Sequence, residues 1–331
     1  MSILAILVAL SLSPEKRDSL LAETQGNEAL WGRMLENSDS ERLECIEYLF
    51  TTIPRLDRLE MTETALMDHV LGALDSRENL CPDLPDSVFL PFLLDYRMSE
   101  EPVTAYRTPL SVFWARELPS AGGAMETAEL LREAISGMSV RSREYLGGVA
   151  PPLDVLEARA GTPAELRVLF GSSLRALGIP VRPVLAWFQG ERGREAGWLE
   201  VWSEGSWHPM PLASDSIPAD YAGLSMTFAG DGCTVAGYVP AGTVIVLPPD
   251  TSAGDFMIWL SVEAPGRLIP LDWLEIGATE VSRLELGGGR YLVQVSSRLE
   301  NGTVRLWTKW LELAPGAEIT VDVSELVGAD S

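Results

Sequence analysis

Lysine is nearly missing from this chain of 331 residues. Only Lys16 and Lys309 occur, and with arginine they make 25 basic residues against 48 acidic ones, a formal net charge of −23. Such a field repels phosphate backbones and anionic lipid headgroups, so neither nucleic acid nor a basic membrane-surface role is expected. Cysteine is equally scarce. Cys45, Cys81 and Cys233 are too scattered for a disulfide framework and form no CxxC pair, and their odd number leaves at least one thiol without an intrachain partner. With His69 and His208 as the only histidines, a His-rich metal centre is excluded, and no metal or other cofactor is expected. No apolar run approaches the ~20 residues of a membrane-spanning helix, so no transmembrane segment is expected. HExxH, GxSxG and EF-hand spacings are absent too, and the Gly287-Gly288-Gly289 run leads into a strand rather than a phosphate-binding helix.

What is present suffices for a large core: 46% of the residues are hydrophobic, and the length suggests about two domains. The apolar run Ile3 to Leu10, ending in the small residues Ser11 and Ser13, has the form of a signal-peptide core. Export to a secreted or periplasmic location is therefore expected. The alternative is a cytoplasmic protein with a buried first helix, since no basic residue precedes the run.

From Pro14 to about residue 120 the text reads as a helical lead-in. Ser38-Asp39-Ser40-Glu41 has the Ser-x-x-Glu form of a capping box, and Leu43, Ile46, Leu49 and Phe50 follow at helical spacing. Thr62 opens a second helix with Leu66, His69, Val70 and Ala73 on one apolar face. A histidine on such a stripe reads as a core residue with its hydrogen bonds satisfied. Met125 to Met138 reads as another amphipathic helix.

The centre of the chain is its most ordered text. Thr162 caps, Pro163 suits the first helical position, and Glu165 can reach back to close the box. Leu166, Leu169, Phe170, Ser173, Leu174 and Leu177 then form a buried stripe, and Gly178 and Pro180 end the helix. Val181 to Phe188, then Gly197 to Trp202, a turn at Glu204-Gly205, and Ser206 to Met210 predict a helix packed on an antiparallel sheet, an α+β arrangement. Residues 213–232 read as a connection. Beyond them seven short runs predict strands only: 243–247, 256–262, 267–274, 281–286, 291–299, 303–313 and 319–323. Asn301-Gly302 makes a hairpin turn between two of them, and the spacing suggests an immunoglobulin-like sandwich over 233–331.

Arg175-Ala176-Leu177-Gly178-Ile179-Pro180-Val181-Arg182, followed by Trp198-Leu199-Glu200-Val201-Trp202 and Trp207, resembles the core of the transglutaminase-like superfamily. The resemblance is sharp over 155–212 and implies a papain-like core, placed at 121–212. It also implies three catalytic positions, and here the chain departs from the pattern. Pro163 stands where the family has its nucleophilic cysteine, Ala196 where it has its histidine, and Pro211 falls on the looser position of the orienting acid. Proline and alanine can neither attack a carbonyl nor accept a proton. A catalytically inactive protein follows, with Thr162, Trp198 and His208 as candidate cleft-lining residues and a peptide, protein or envelope component as ligand. Two alternatives stand beside it. One is an active cysteine-type acyl transferase or peptidase with relocated groups, which requires a thiol or hydroxyl within ~3 Å of His208. The other is a carbohydrate-binding or adhesion module in the sandwich, which an exposed aromatic row on one sheet face would favour and a fully packed face would oppose.

Overall fold

A computed structural model describes residues 12–142, 148–190, 193–230, 232–249, 256–271, 276, 280–298 and 301–328. The expected leader lies almost entirely outside them. The protein mixes helix and sheet, and the chain divides into two units. One is Met1–Pro183 with Trp198–Asp215, the other Val184–Gly197 with Ser216–Ser331.

The first unit begins with helices α1 (Pro14–Ala22), α2 (Glu28–Asn37), α3 (Ser40–Thr52), α4 (Arg55–Glu60), α5 (Glu63–Leu80) and the single turn α6 (Asp86–Val88). The cap of α3 is not Ser38 but Asp39, whose carboxylate accepts from the amide of Arg42 at 3.1 Å. Ser38 is taken by the end of α2, where its hydroxyl donates to the carbonyl of Met34 at 2.7 Å. Thr62 caps α5 through the amide of Ala65, and the predicted stripe of Leu66, His69, Val70 and Ala73 is buried.

After α6 the chain winds into a wide π-helical turn at Phe89–Leu94. Pro91 supplies no amide there, and the turn ends with carbonyls that no following helical turn can satisfy. Two buried guanidiniums meet them. Arg107, at the start of α7 (Arg107–Glu117), donates to the carbonyls of Leu93, Leu94 and Asp95, and also to that of Arg175 at 2.9 Å. Arg175 donates to the carbonyl of Phe92 at 3.2 Å and to that of Asp95 at 2.9 Å. The Nε of Arg107 donates to Nδ1 of His69 at 3.3 Å, and Nε2 of His69 lies 3.0 Å from the carbonyl of Thr104. As its place on the stripe predicts, this histidine is a satisfied core residue.

There follow α8 (Ala124–Ser136), β1 (Ser139–Val140), α9 (Pro152–Ala158), β2 (Ala160–Gly161) and α10 (Pro163–Ala176). The parallel pair β1–β2 and helix α9 carry too few residues to show a period in the sequence. The two central strands, β3 (Val181–Phe188) and β4 (Arg194–Ser203), each begin in one unit and end in the other. The later part of β4 pairs with β5 (Ser206–Pro209) as a hairpin in the first unit. The later part of β3 pairs with β6 (Leu224–Ala229) in the second, and β6 with β7 (Gly232–Cys233). Strand β6 lies inside the stretch read as a connection. Its Ser225 and Thr227 are buried, so a largely buried strand carrying hydroxyls shows no apolar run.

The rest of the second unit comprises β8 (Ala241–Leu247), β9 (Phe256–Ala264), β10 (Arg267–Pro270), β11 (Ser282–Gly287), β12 (Gly289–Arg298), β13 (Val304–Leu313), β14 (Glu318–Asp322) and α11 (Val323–Gly328). They form a four-stranded sheet in the order β10-β9-β12-β13 and a three-stranded sheet in the order β11-β8-β14, with β14 parallel to β8. One core joins both sheets, with Val244, Val246, Leu286 and Val321 from one and Leu260, Val262, Val293 and Val295 from the other. The expectation of strands alone fails at the end of the chain. Helix α11 buries Val323 in that core, and its six residues are too few to display helical periodicity.

The Arg107 network sets two expectations. Arg107→Met leaves several buried carbonyls unpaired and should lower the unfolding free energy by about 3 kcal/mol or more in urea titrations. Burial, and then the neighbouring Arg107, hold the imidazole of His69 well below its ordinary value of 6.5. The unfolded chain therefore takes up a proton that the folded chain refuses, so stability should fall as pH drops from 7 to 5.5. In a His69→Gln variant that slope should be reduced. Asp95, raised by burial from 3.8, has the opposite sign, being stabilising below its unfolded value and losing that contribution as pH rises through its folded one.

Candidate functional site

The place where the family resemblance puts its nucleophile is the N-terminus of α10. Thr162 accepts from the amide of Glu165 at 3.2 Å, and the Glu165 carboxylate accepts from the amide of Thr162 at 2.9 Å. Its other oxygen accepts from the amide of Ala150 at 3.1 Å. Pro163 occupies the first helical position, where it has no donor to lose. Gly161 permits the close approach, since a Cβ there would lie 3.0 Å from that of Glu165. The positive end of the helix dipole, which elsewhere lowers a thiol pKa, is here occupied by a carboxylate of the chain itself. At the other end Gly178, at φ +78°, turns the chain so that the amide of Ile179 reaches the carbonyl of Leu174 at 2.9 Å.

The motif residues that remain are tied to one another. Arg182 donates to Glu200 at 2.6 Å, both side chains being nearly buried. The same guanidinium lies 4.4 Å from the ring centroid of Trp207, whose indole packs on Trp202 and Phe92 at centroid distances of 5.2 and 4.9 Å. Charge, hydrogen bond and ring stacking thus lock the β4–β5 hairpin to the strand before it. These residues are scaffold.

The expected site residues are distributed as follows. Thr162 is half-buried and committed to its cap. Ala196 is a half-buried residue of β4 in the second unit. Trp198 is fully buried, so its indole lines no open surface. Pro211 is half-buried between two core residues, Met210 and Leu212. His208 differs from the solvent-facing residue that strand alternation suggests. It is half-buried, with Nε2 at 3.0 Å from the hydroxyl of Ser206 and 3.2 Å from the carbonyl of Ser203. Ser206 is two residues away on the same strand face, and Ser203 lies across the tight Glu204-Gly205 turn, whose φ values are +51° and +81°. A groove in the first unit is bordered by Cys81, Ile179 and Trp202, and includes neither Thr162 nor His208.

The sequence did not single out Asp215, a buried carboxylate four residues beyond Pro211. It accepts from Arg167 of α10 at 2.7 Å and from the amide of Leu212 at 2.8 Å. Burial raises its pKa and Arg167 opposes that. The acid anchors helix to strand end.

Burial pushes the Cys45 thiol up to about 12, and burial of the sulfur also raises Cys81 and Cys233. All three are free, and Cys81 hydrogen bonds at 3.4 Å to the carbonyl of Ser76, not to an imidazole. Among the described residues, no group of three or more histidine, cysteine, aspartate or glutamate side chains could hold a metal ion, and no helix is long and apolar enough to cross a membrane.

Comparison with known proteins places this core. Residues 114–211 match the family model of the transglutaminase-like superfamily, so the chain contains a transglutaminase-like domain. A solved structure from Cytophaga hutchinsonii, described as a "putative cysteine protease", is similar with 16% identity and a TM-score of 0.34, covering 46% of this chain and 54% of that one. A "putative protease" from Parabacteroides distasonis is similar with 14% identity and a TM-score of 0.31, covering 62% of this chain and 48% of that one. The chain spans about half the length of each. No curated protein matches it.

The cap generates a prediction. Thr162→Ala should cost about 1 kcal/mol of stability, read as a lowered Tm, because the Glu165 amide loses its acceptor at the end of a buried helix.

Proposed function

We propose that this chain is a catalytically inactive transglutaminase-like protein that binds or scaffolds a peptide, a protein or a component of the cell envelope. In this reading Pro163, Ala196 and Pro211 are degenerate triad positions, the core covers 121–212, and residues 233–331 are an immunoglobulin-like sandwich on an exported protein. The observation that carries the proposal is the N-terminus of α10, where a proline and a closed capping box stand in place of a thiol. The raised pKa of every cysteine supports it, since a protonated thiol at neutral pH is a poor nucleophile. The ion pair of Arg182 with Glu200 and the stacked tryptophans explain why the motif persists without chemistry.

One observation favours the alternative of relocated groups: the Ser206 hydroxyl within hydrogen-bond reach of His208. The same Nε2 also faces the Ser203 carbonyl. An imidazole that donates to that carbonyl through Nε2 has no lone pair there to take the serine proton.

The test is an assay of the full chain for amine incorporation and peptide hydrolysis. No turnover above the uncatalysed background is expected. Turnover blocked by iodoacetamide would restore a cysteine enzyme, and turnover lost in both Ser206→Ala and His208→Ala would establish the hairpin pair instead.

A further inference from the structure

The outer face of the four-stranded sheet in the second unit is open in part: Met257, Leu306 and Trp310 are exposed on it, while Ser261 and Leu292 between them are buried. Register places Trp259, Gln294 and Thr308 side by side on β9, β12 and β13, with Ser261, Leu292 and Trp310 in the next outward row. Trp310 is 40% exposed and Trp259 half-buried. By strand and residue spacing the two tryptophans stand roughly 12 Å apart, diagonally across β12, the span of a short oligosaccharide.

Two features define what fits there. The first is charge. In a chain of net charge −23, these two rows and the next, Met257-Ser296-Leu306, carry no ionisable side chain. The face's charges begin at Glu263-Arg290-Glu312 on one side, where the Arg290 guanidinium reaches the Trp310 ring but is paired with Glu263, and at Arg298 on the other. An uncharged centre offers an ionic ligand nothing to pair with, while an uncharged one loses little on entering. The second is the interleaving of indoles with amide and hydroxyl groups. A sugar ring presents an apolar C–H face and a rim of hydroxyls, and needs this alternation; a purely apolar partner would leave the polar groups unpaired. The groups are also held in place. Ser261, 2% exposed, donates to the Gln294 side-chain carbonyl at 2.7 Å, leaving the amide nitrogen to donate elsewhere. Arg290 lies 4.1 Å from the ring centroid of Trp310 and is itself paired with Glu263 at 3.3 Å.

We propose that this face binds an uncharged oligosaccharide, with Trp259 and Trp310 as stacking groups and Gln294 and Thr308 as partners of the sugar hydroxyls. It goes beyond the inactive-core reading and does not depend on it, because every residue used lies in the second unit.

Native electrophoresis of the full chain through gels containing hydroxyethylcellulose, mixed-linkage β-glucan or xylan tests the proposal, with polygalacturonate as the charged counterpart. Retardation is expected in at least one neutral polymer and not in polygalacturonate. It should weaken about tenfold in Trp259→Ala and in Trp310→Ala and persist in Trp310→Tyr. Gln294→Ala keeps both indoles and should weaken binding as well, which covers the case of a tryptophan variant that misfolds by circular dichroism. The proposal is overturned if no neutral polymer retards the chain, if polygalacturonate retards it equally, or if the folded variants migrate like the parent. It is overturned too if sedimentation shows a dimer that Met257→Ser with Leu306→Ser disperses, since a second copy would then cover the face.

Discussion

Two desolvated arginines gripping one broken helix end are the constraint around which the first unit is arranged. A π-helical turn containing proline leaves a cluster of carbonyls pointing into an interior where water cannot serve them. Arg107 and Arg175 supply N–H groups from two other helices, and Arg107 also binds the carbonyl of Arg175 itself. The positive charges are offset by partial negative charge at the helix end and by the half-buried carboxylate of Asp95, 3.5 Å from Arg175. His69 completes the cluster only while neutral, because the Nδ1 that accepts from Arg107 must be unprotonated. Arg175 belongs to the motif that carries the family resemblance, so that part of the motif serves architecture whether or not chemistry is present.

The same division runs through the rest of the core. Arg182, Glu200, Trp202 and Trp207 hold strand to hairpin through contacts that need no substrate. At the head of α10 the helix dipole is engaged by Glu165. The cap and the proline hold that end of the helix with local interactions that involve no catalytic group.

Much of this was legible in the sequence. The capping box at Thr162, the stop at Gly178, the stripe through Leu66 and Val70, and the hairpin turns at Glu204-Gly205 and Asn301-Gly302 are local, and local signals carry their own physics. What escaped depends either on partners distant in sequence or on two local claims competing for one side chain. Strand β6 buries hydroxyls, so its text resembles a loop. Ser38 lost the cap to Asp39 because the end of α2 claimed its hydroxyl. Asp215 showed no motif, its role resting on Arg167, 48 residues earlier. His208 followed strand alternation only in part. Trp207 packs to one side as expected, but the tight turn curls Ser206 and Ser203 around the imidazole on the other.

The passage of the chain between units has a consequence of its own. It crosses after Pro183, again after Gly197 and a third time after Asp215, so neither unit is a continuous stretch of polypeptide. A truncation at the first crossing would strip the leading body of its β4–β5 hairpin, and with it Glu200 and Trp207, which hold Arg182. A fragment starting at the third would lack the half of β3 that pairs with β6. Neither body can be excised with a single cut, and on a ribosome the first cannot close until its returning segment has been made.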